Sequence, residues 1–301
     1  MYQLRWIPIP AMQAGSITMS QTEPFFLSGV EGLGNVPTSP ETVRGPWQPG
    51  ETLMGATVEG RTIALTLTAV ADSRQQMWER RRELAKGFGS PVPRFGRQPE
   101  LGVLEVYRDG QPVRTIEAIP VNSPEMQTQA GKVTDVDVEL FCPDPYFRGE
   151  EKQVVLDTED FDAGIEIPLE GIEITADGIE IPFDKVAAVA ENGGDVSTAV
   201  TIEISGEIID PRIINHLTGE EFRIVGLIRS GETVRIETGF GRKRVDFIDQ
   251  GGNESPAFDR VDLSVSEFFR LGVGDNELEL RFAEIVDGSA TVTYRERFTG
   301  V

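Results

Sequence analysis

Glu139-Leu140-Phe141-Cys142-Pro143-Asp144-Pro145-Tyr146-Phe147-Arg148-Gly149 is the stretch on which the reading of this chain turns. An alternating run, Val133 to Phe141, leads into it and reads as a half-buried strand. Two prolines then end that strand. Neither can donate to a sheet ladder, and each drives its predecessor towards extended geometry. Asp144 between them is a turn residue whose carboxylate accepts from nearby backbone amides. Tyr146 and Phe147 follow at once, two large rings that need a pocket. The plain reading is a domain-closing turn with an aromatic plug, so that Pro143, Asp144, Pro145, Tyr146 and Phe147 form a structural junction.

Upstream of the junction the pattern is mainly β. Residues 1–22 read as an extended lead-in broken by Pro8 and Pro10, and Phe25 to Leu27 as a short strand before a glycine-rich turn. Residues 35–50, rich in Pro, Gly, Thr and Ser, read as a loop with Trp47 as a lone anchor. Arg61 to Val70 alternates Ile63, Leu65, Leu67 and Ala69 against Thr62, Ala64, Thr66 and Thr68. Asp72 or Ser73 caps one helix over about 73–87, and Gly87 and Gly89 end it. Met77, Arg81, Leu84 and Phe88 share one of its faces, with Trp78 and Ala85 beside them. Glu79, Arg80, Arg82, Glu83 and Lys86 lie on the other, which is solvated or meets a neighbouring subunit. Strands at 101–107 and 112–121, joined by Asp109-Gly110, and at 133–141 complete a first domain over 1–150.

Downstream, Gly164-Ile165-Glu166-Ile167, Gly171-Ile172-Glu173-Ile174 and Gly178-Ile179-Glu180-Ile181 repeat every seven residues. The period is too short for a solenoid with its own core, and residues 151–185 read as an acidic linker or β-arm. Residues 186–301 carry strand patterns at 186–190, 198–206, 221–228, 232–238, 243–248, 262–265, 277–284 and 290–298, which make a β-sandwich or jelly roll.

Composition narrows the function. The chain has 301 residues and a net charge of −22. Residues 1–150 hold 14 basic against 18 acidic side chains, and residues 151–301 hold 14 against 32. Such a second half repels nucleic acid. One cysteine and one histidine exclude an internal disulfide and a Cys/His zinc site. No calcium-loop spacing organises the carboxylates, so no metal and no cofactor is expected. No signal-peptide core opens the chain, and no apolar run approaches the ~20 residues of a membrane helix. There is no phosphate-binding glycine pattern. His216 has no G-x-S-x-G near it in sequence, and Cys142 has no base beside it, so an enzyme is not expected.

The order of several motifs resembles the distal tail protein (Dit) family of long-tailed phages. They are Phe26-Leu27-Ser28-Gly29-Val30-Glu31-Gly32-Leu33, Arg61-Thr62-Ile63, Arg80-Arg81-Arg82-Glu83-Leu84 and Cys142-Pro143-Asp144-Pro145-Tyr146-Phe147. In the second half they are Glu191-Asn192-Gly193-Gly194-Asp195, Asp210-Pro211, Leu217-Thr218-Gly219, Gly231-Glu232-Thr233-Val234-Arg235-Ile236, Gly272-Val273-Gly274-Asp275-Asn276-Glu277 and Tyr294-Arg295-Glu296-Arg297-Phe298. The resemblance spans nearly the whole chain and departs at the acidic 157–184 segment, which looks like a lengthened linker. It implies a structural virion protein at the distal end of the tail, made in the host cytoplasm. The implied fold is a β-sandwich-like ring domain with one helix, followed by a galectin-like β-sandwich. The implied assembly is a homohexameric ring with the tail tube, tail hub and tape-measure proteins, and a receptor-binding protein, as partners, and with no nucleic-acid or membrane binding. Arg80, Arg81, Arg82 and Glu83 are then candidates for the subunit interface. The alternative is a carbohydrate-binding module that contacts a host glycan through Phe240, Phe247, Phe268 and Phe269.

Overall fold

The computed structural model describes residues 2–89, 100–122, 124–126, 132–157, 174–175, 178–179 and 185–301. It divides into two compact units, Met1–Glu150 with Arg297–Val301, and Glu151–Glu296. The protein is mainly β, with one α-helix, Arg74–Gly87, among the described residues. That helix is not long and apolar enough to cross a membrane.

In the first unit, Phe25–Glu31, Arg61–Val70 and Val133–Cys142 form one antiparallel sheet. Ile63 pairs with Leu140, Leu65 with Val138 and Leu67 with Val136, and all six are buried. The opposite face of the same strands is polar: the Thr66 and Thr68 hydroxyls donate to Asp137 and Asp135 at 2.9 and 2.8 Å. A two-residue period places both sets, because successive side chains leave a strand on opposite faces. A second row runs Ile17–Met19, Tyr2–Ile7, Gly102–Arg108, Arg114–Pro120 and Phe147–Asp157. So the lead-in 1–22 contains two paired strands.

The helix begins where Ser73 accepts from the Gln76 amide. Met77, Leu84 and Phe88 sink into the core beneath it. Trp6 fixes its far end: its indole N–H donates to the Gly87 carbonyl at 2.8 Å, and its ring stacks on Phe88 at 5.8 Å. A Cβ on Gly102 would lie 2.4 Å from that indole, which is why the strand opens with glycine. Trp78, expected beside the buried face, is mostly exposed.

The expected loop 35–50 is instead largely the first strand and the tip of a hairpin. Thr38–Val43 and Thr52–Val58 pair as a hairpin that forms its own two-stranded sheet. Trp47 sits at its tip with a positive φ and is fully exposed, so it anchors nothing within its own chain.

In the second unit, Thr198–Ile209 is central to one sheet, flanked by Glu284–Phe298 and Thr233–Glu237, with Arg244–Ile248 and Glu254–Pro256 beyond. The other sheet orders Lys185–Asn192, Gly274–Arg281, Arg212–Asn215 and Glu220–Arg223. Ile202, Ile204, Val234, Ile236 and Val292 from the first share one core with Ile213, Phe222, Leu278 and Leu280 from the second, which makes a β-sandwich. Three expectations change here. Arg212–Asn215 is a strand that the preceding Asp210-Pro211 disguised. The span 221–228 is broken at Gly226, whose φ is +98°. The span 262–265 is a turn in which Asp262 accepts from the Ser264 amide and hydroxyl.

Residues 151–157, placed by sequence in the linker, are the latter part of Phe147–Asp157, and Leu156 is buried in the second core. The acidic repeat otherwise lies outside the described residues, apart from the short antiparallel pair Ile174–Thr175 and Gly178–Ile179.

Three buried asparagines hold the loops at one end of the second sandwich. Asn192 donates to the carbonyls of Val196, Leu271 and Gly272. Asn276 donates to Ala190, Gly272 and Gly274, and its Oδ1 accepts from the Gly272 amide and from Asn215. Asn215 also donates to Arg270 and accepts from the Leu217 amide. Loop backbone groups without a ladder partner are satisfied this way, as buried polar groups must be.

Candidate functional site

The junction is built around arginines. Phe147 is fully buried, while Tyr146 is only half-buried, so the expected plug is one ring deep. The Arg61 guanidinium lies 4.7 Å from the Phe147 ring and donates to the carbonyls of Gly32, Gly34 and Thr299 at 2.9, 3.0 and 2.6 Å. Arg297 covers Tyr146 at 4.1 Å and donates to Asp144 at 2.8 Å. Arg114 lies over Phe298 at 3.7 Å and donates to the Gly300 carbonyl. The last five residues are thereby fastened into the first unit. Sequence reasoning missed this because no local period marks a strand end for partners 153 to 238 residues away.

Asp144 accepts from the Tyr146 amide at 3.4 Å and pairs with Arg148 as well as Arg297. Burial pushes its carboxyl up, but the Arg297 charge and hydrogen bond, with help from Arg148, outweigh it and hold the group below the ordinary value. A depressed folded value contributes stability that is full above the unfolded value of about 3.9 and is lost as pH falls through the folded value. The difference in melting temperature between wild type and Asp144→Asn should therefore be largest near neutrality and shrink below about pH 4. A difference that stays constant down to pH 3 would disprove it.

Phe147→Ala is expected to destabilise the first unit by ~3–5 kcal/mol, as for a fully buried ring. Tyr146→Ala should cost distinctly less, since that ring is half in solvent. Urea unfolding of each variant gives the comparison.

The helix residues proposed for an interface are not equivalent. Arg80 pairs with Glu83 at 3.1 Å and lies 5.9 Å from the Phe25 ring, and Arg81 donates to the Met126 sulfur. Both are partly covered by their own unit. Arg82 is exposed, and it aligns at four-residue spacing with Arg74, Trp78 and Lys86, all exposed.

Of the four aromatics proposed for glycan contact, the structure brings two near each other. Phe240 is 78% exposed with Arg270 over it at 4.3 Å, and Lys243 lies 5.8 Å from its ring and 5.3 Å from that of Phe268. Phe268 stacks on Phe258 and meets Phe222 edge-on. Phe269 is buried in the core, and Phe247 packs against it with Arg260 over its ring, so neither presents an open face like that of Phe240.

The two residues weighed for catalysis have structural surroundings. Burial pushes the Cys142 thiol up to about 12, so it is not a thiolate nucleophile near neutral pH. His216 bonds Glu279 at 2.6 Å, and Arg281 bonds the same buried carboxylate. Among the described residues, no group of three or more His, Cys, Asp or Glu is placed to hold a metal ion.

Residues 13–142 match the phage tail protein RIFT-related domain, and residues 193–298 match the siphovirus-type tail component, C-terminal domain. No curated protein matches the chain by sequence. Among solved structures, it is similar to the Dit protein of phage SPP1, described as a paradigm of the hub adsorption apparatus in phages that infect Gram-positive bacteria. That match has 11% identity, covers 99% of each chain and has a TM-score of 0.64. A second similarity is to a chain of the phage P2 baseplate in its activated conformation with calcium, with 8% identity, 97% and 98% coverage and a TM-score of 0.50. The two domain matches stand in order on one chain and together span most of it, over a fold shared with a Dit protein end to end: the chain belongs to the siphophage distal tail (Dit) protein family.

Proposed function

We propose that this protein forms a hexameric ring at the distal end of a long phage tail, joining the tail tube to the host-adsorption device. The observation that carries the reading is the pairing of the two tail-domain matches, 13–142 and 193–298, in one chain. Its partners are then further copies of itself, the tail tube protein, the tail hub protein, the tape-measure protein and a receptor-binding protein. Its place is the virion. A head-to-tail contact that closes is the simplest route to such a ring. The first domain makes it, and the second, with 32 acidic against 14 basic residues beyond position 150, sits outside, where six copies repel one another least. Native mass spectrometry and negative-stain images of the full chain test this. Six-fold rings are the expected result, and a monomer at every concentration would overturn it.

The aromatic cluster favours one second reading, a glycan contact on the second sandwich. Phe240 is mostly exposed, with Arg270 over its ring and Lys243 farther off, and exposed aromatic rings stack on sugars. Binding to a cell-wall glycan array that Phe240→Ala abolishes would support it, and no binding by wild type would remove it.

A further inference from the structure

Two exposed surfaces of the first unit complement each other. The first is the hairpin Thr38–Val43/Thr52–Val58. A free two-stranded hairpin is marginal in water, yet this one is held in a defined shape. Glu41, Glu51 and Glu59 each accept from a hydroxyl across the ladder, of Thr57, Thr42 and Ser39. Gln48 ties the tip together through Gly45 and Thr52, which holds Trp47 out at positive φ. Val43, Leu53, Met54 and Val58 are exposed along the strands. The arm is therefore acidic, apolar and tipped by a tryptophan.

The second surface is the outer ridge of the helix. Arg74, Trp78, Arg82 and Lys86 follow one another at four-residue spacing, all exposed, on the most basic segment of a unit whose overall balance is acidic. The twelve helical rises from Arg74 to Lys86 make this ridge ~18 Å long. A seven-residue strand such as Thr52–Val58 spans ~20 Å. Length, charge and an exposed tryptophan on each side agree, and tryptophan is among the residues that dominate interface energies.

We infer that the hairpin arm of one subunit lies along the Arg74–Lys86 helix ridge of the next copy. Arm and ridge are different patches of one chain, so the contact is head-to-tail and propagates around a ring. This rests on the ring reading above and names the contact that closes it. The carboxylates meet Arg82 and Lys86, and the apolar strand residues cover Trp78.

Charge reversal in the full chain tests it. Arg82→Glu/Lys86→Glu reverses the ridge, and Glu41→Lys/Glu59→Lys reverses the arm at the cost of the Thr57 and Ser39 bonds; all four positions are exposed and outside the first core, so the main unfolding transition of each variant should stay within a few degrees of wild type. Each alone is expected to run as a monomer in size-exclusion chromatography with light scattering. An equimolar mixture of the two should recover the ring, because each reversed surface then meets its complement, and a chain carrying all four changes should assemble by itself. If wild type forms rings and the reversals form them equally well, this contact is wrong and the ring reading stands. Dispersal by each reversal with no recovery in the mixture also overturns it, since arm and ridge then meet other partners, such as the tube. If wild type never assembles, the ring reading fails first.

Discussion

Replacing Asn276 by aspartate is expected to cost the second unit upwards of about 4 kcal/mol, although the two side chains have nearly the same shape. The native Nδ2 donates to three carbonyls, of Ala190, Gly272 and Gly274, at 3.3, 2.9 and 2.9 Å. Aspartate keeps the acceptor that serves the Gly272 amide and Asn215 but turns a donor into an anionic oxygen facing those carbonyls at a site with no solvent exposure. Burying an unpaired charge is far costlier than losing one hydrogen bond. All three tryptophans, Trp6, Trp47 and Trp78, lie in the first unit. Their fluorescence therefore follows that unit in urea, while far-ultraviolet circular dichroism follows both. The aspartate variant should split the dichroism transition and leave the fluorescence transition in place. If neither moves, the asparagine knot contributes little.

Removal of residues 297–301 should have the opposite signature, with the fluorescence transition moving to lower urea. The deletion takes away the Thr299 carbonyl from Arg61, the Gly300 carbonyl from Arg114 and the Arg297 partner of Asp144. It also removes Phe298, which packs against the first core, and the Val301 amide bond to Leu33. A hydrogen bond to a charged group contributes ~1.5–3 kcal/mol, and Arg61 is almost wholly buried. A first-unit midpoint unchanged by the deletion would show that Gly32 and Gly34 satisfy Arg61 unaided.

What could be read from the sequence divides along physical lines. Arg61–Val70 and Val133–Cys142 alternate cleanly because one face is buried and the other wet, so the two-residue period survives in the letters. The helix announced itself by its cap at Ser73 and its stop near Gly87. The hairpin 38–58 did not, because both its faces are exposed and no burial pattern is imposed on it. Arg212–Asn215 is four residues long, too short for its alternation to outweigh the proline before it. The junction's aspartate and prolines marked a turn, but its arginine partners were invisible. Arg61, Arg114 and Arg297 are brought together only by the fold, and a sequence shows which residues alternate, not which distant strand they meet. For the same reason Arg80, Arg81 and Arg82 stood out as a basic triplet, while of the three only Arg82 lies on the exposed ridge at helical spacing.

The fastening of residues 297–301 into the first unit has a consequence for the time course of synthesis. On the ribosome, residues 1–150 emerge well before the segment that completes them. At ~5–20 residues per second the delay is roughly 7–30 s. Throughout that interval Arg61 lacks one of its carbonyls and Phe298 is missing from the packing around Arg114. A nascent chain therefore holds its first unit unfinished until the second has been made, and a polypeptide released before residue 297 keeps a first core short of Phe298 and of the carbonyls that Arg61 and Arg114 bind.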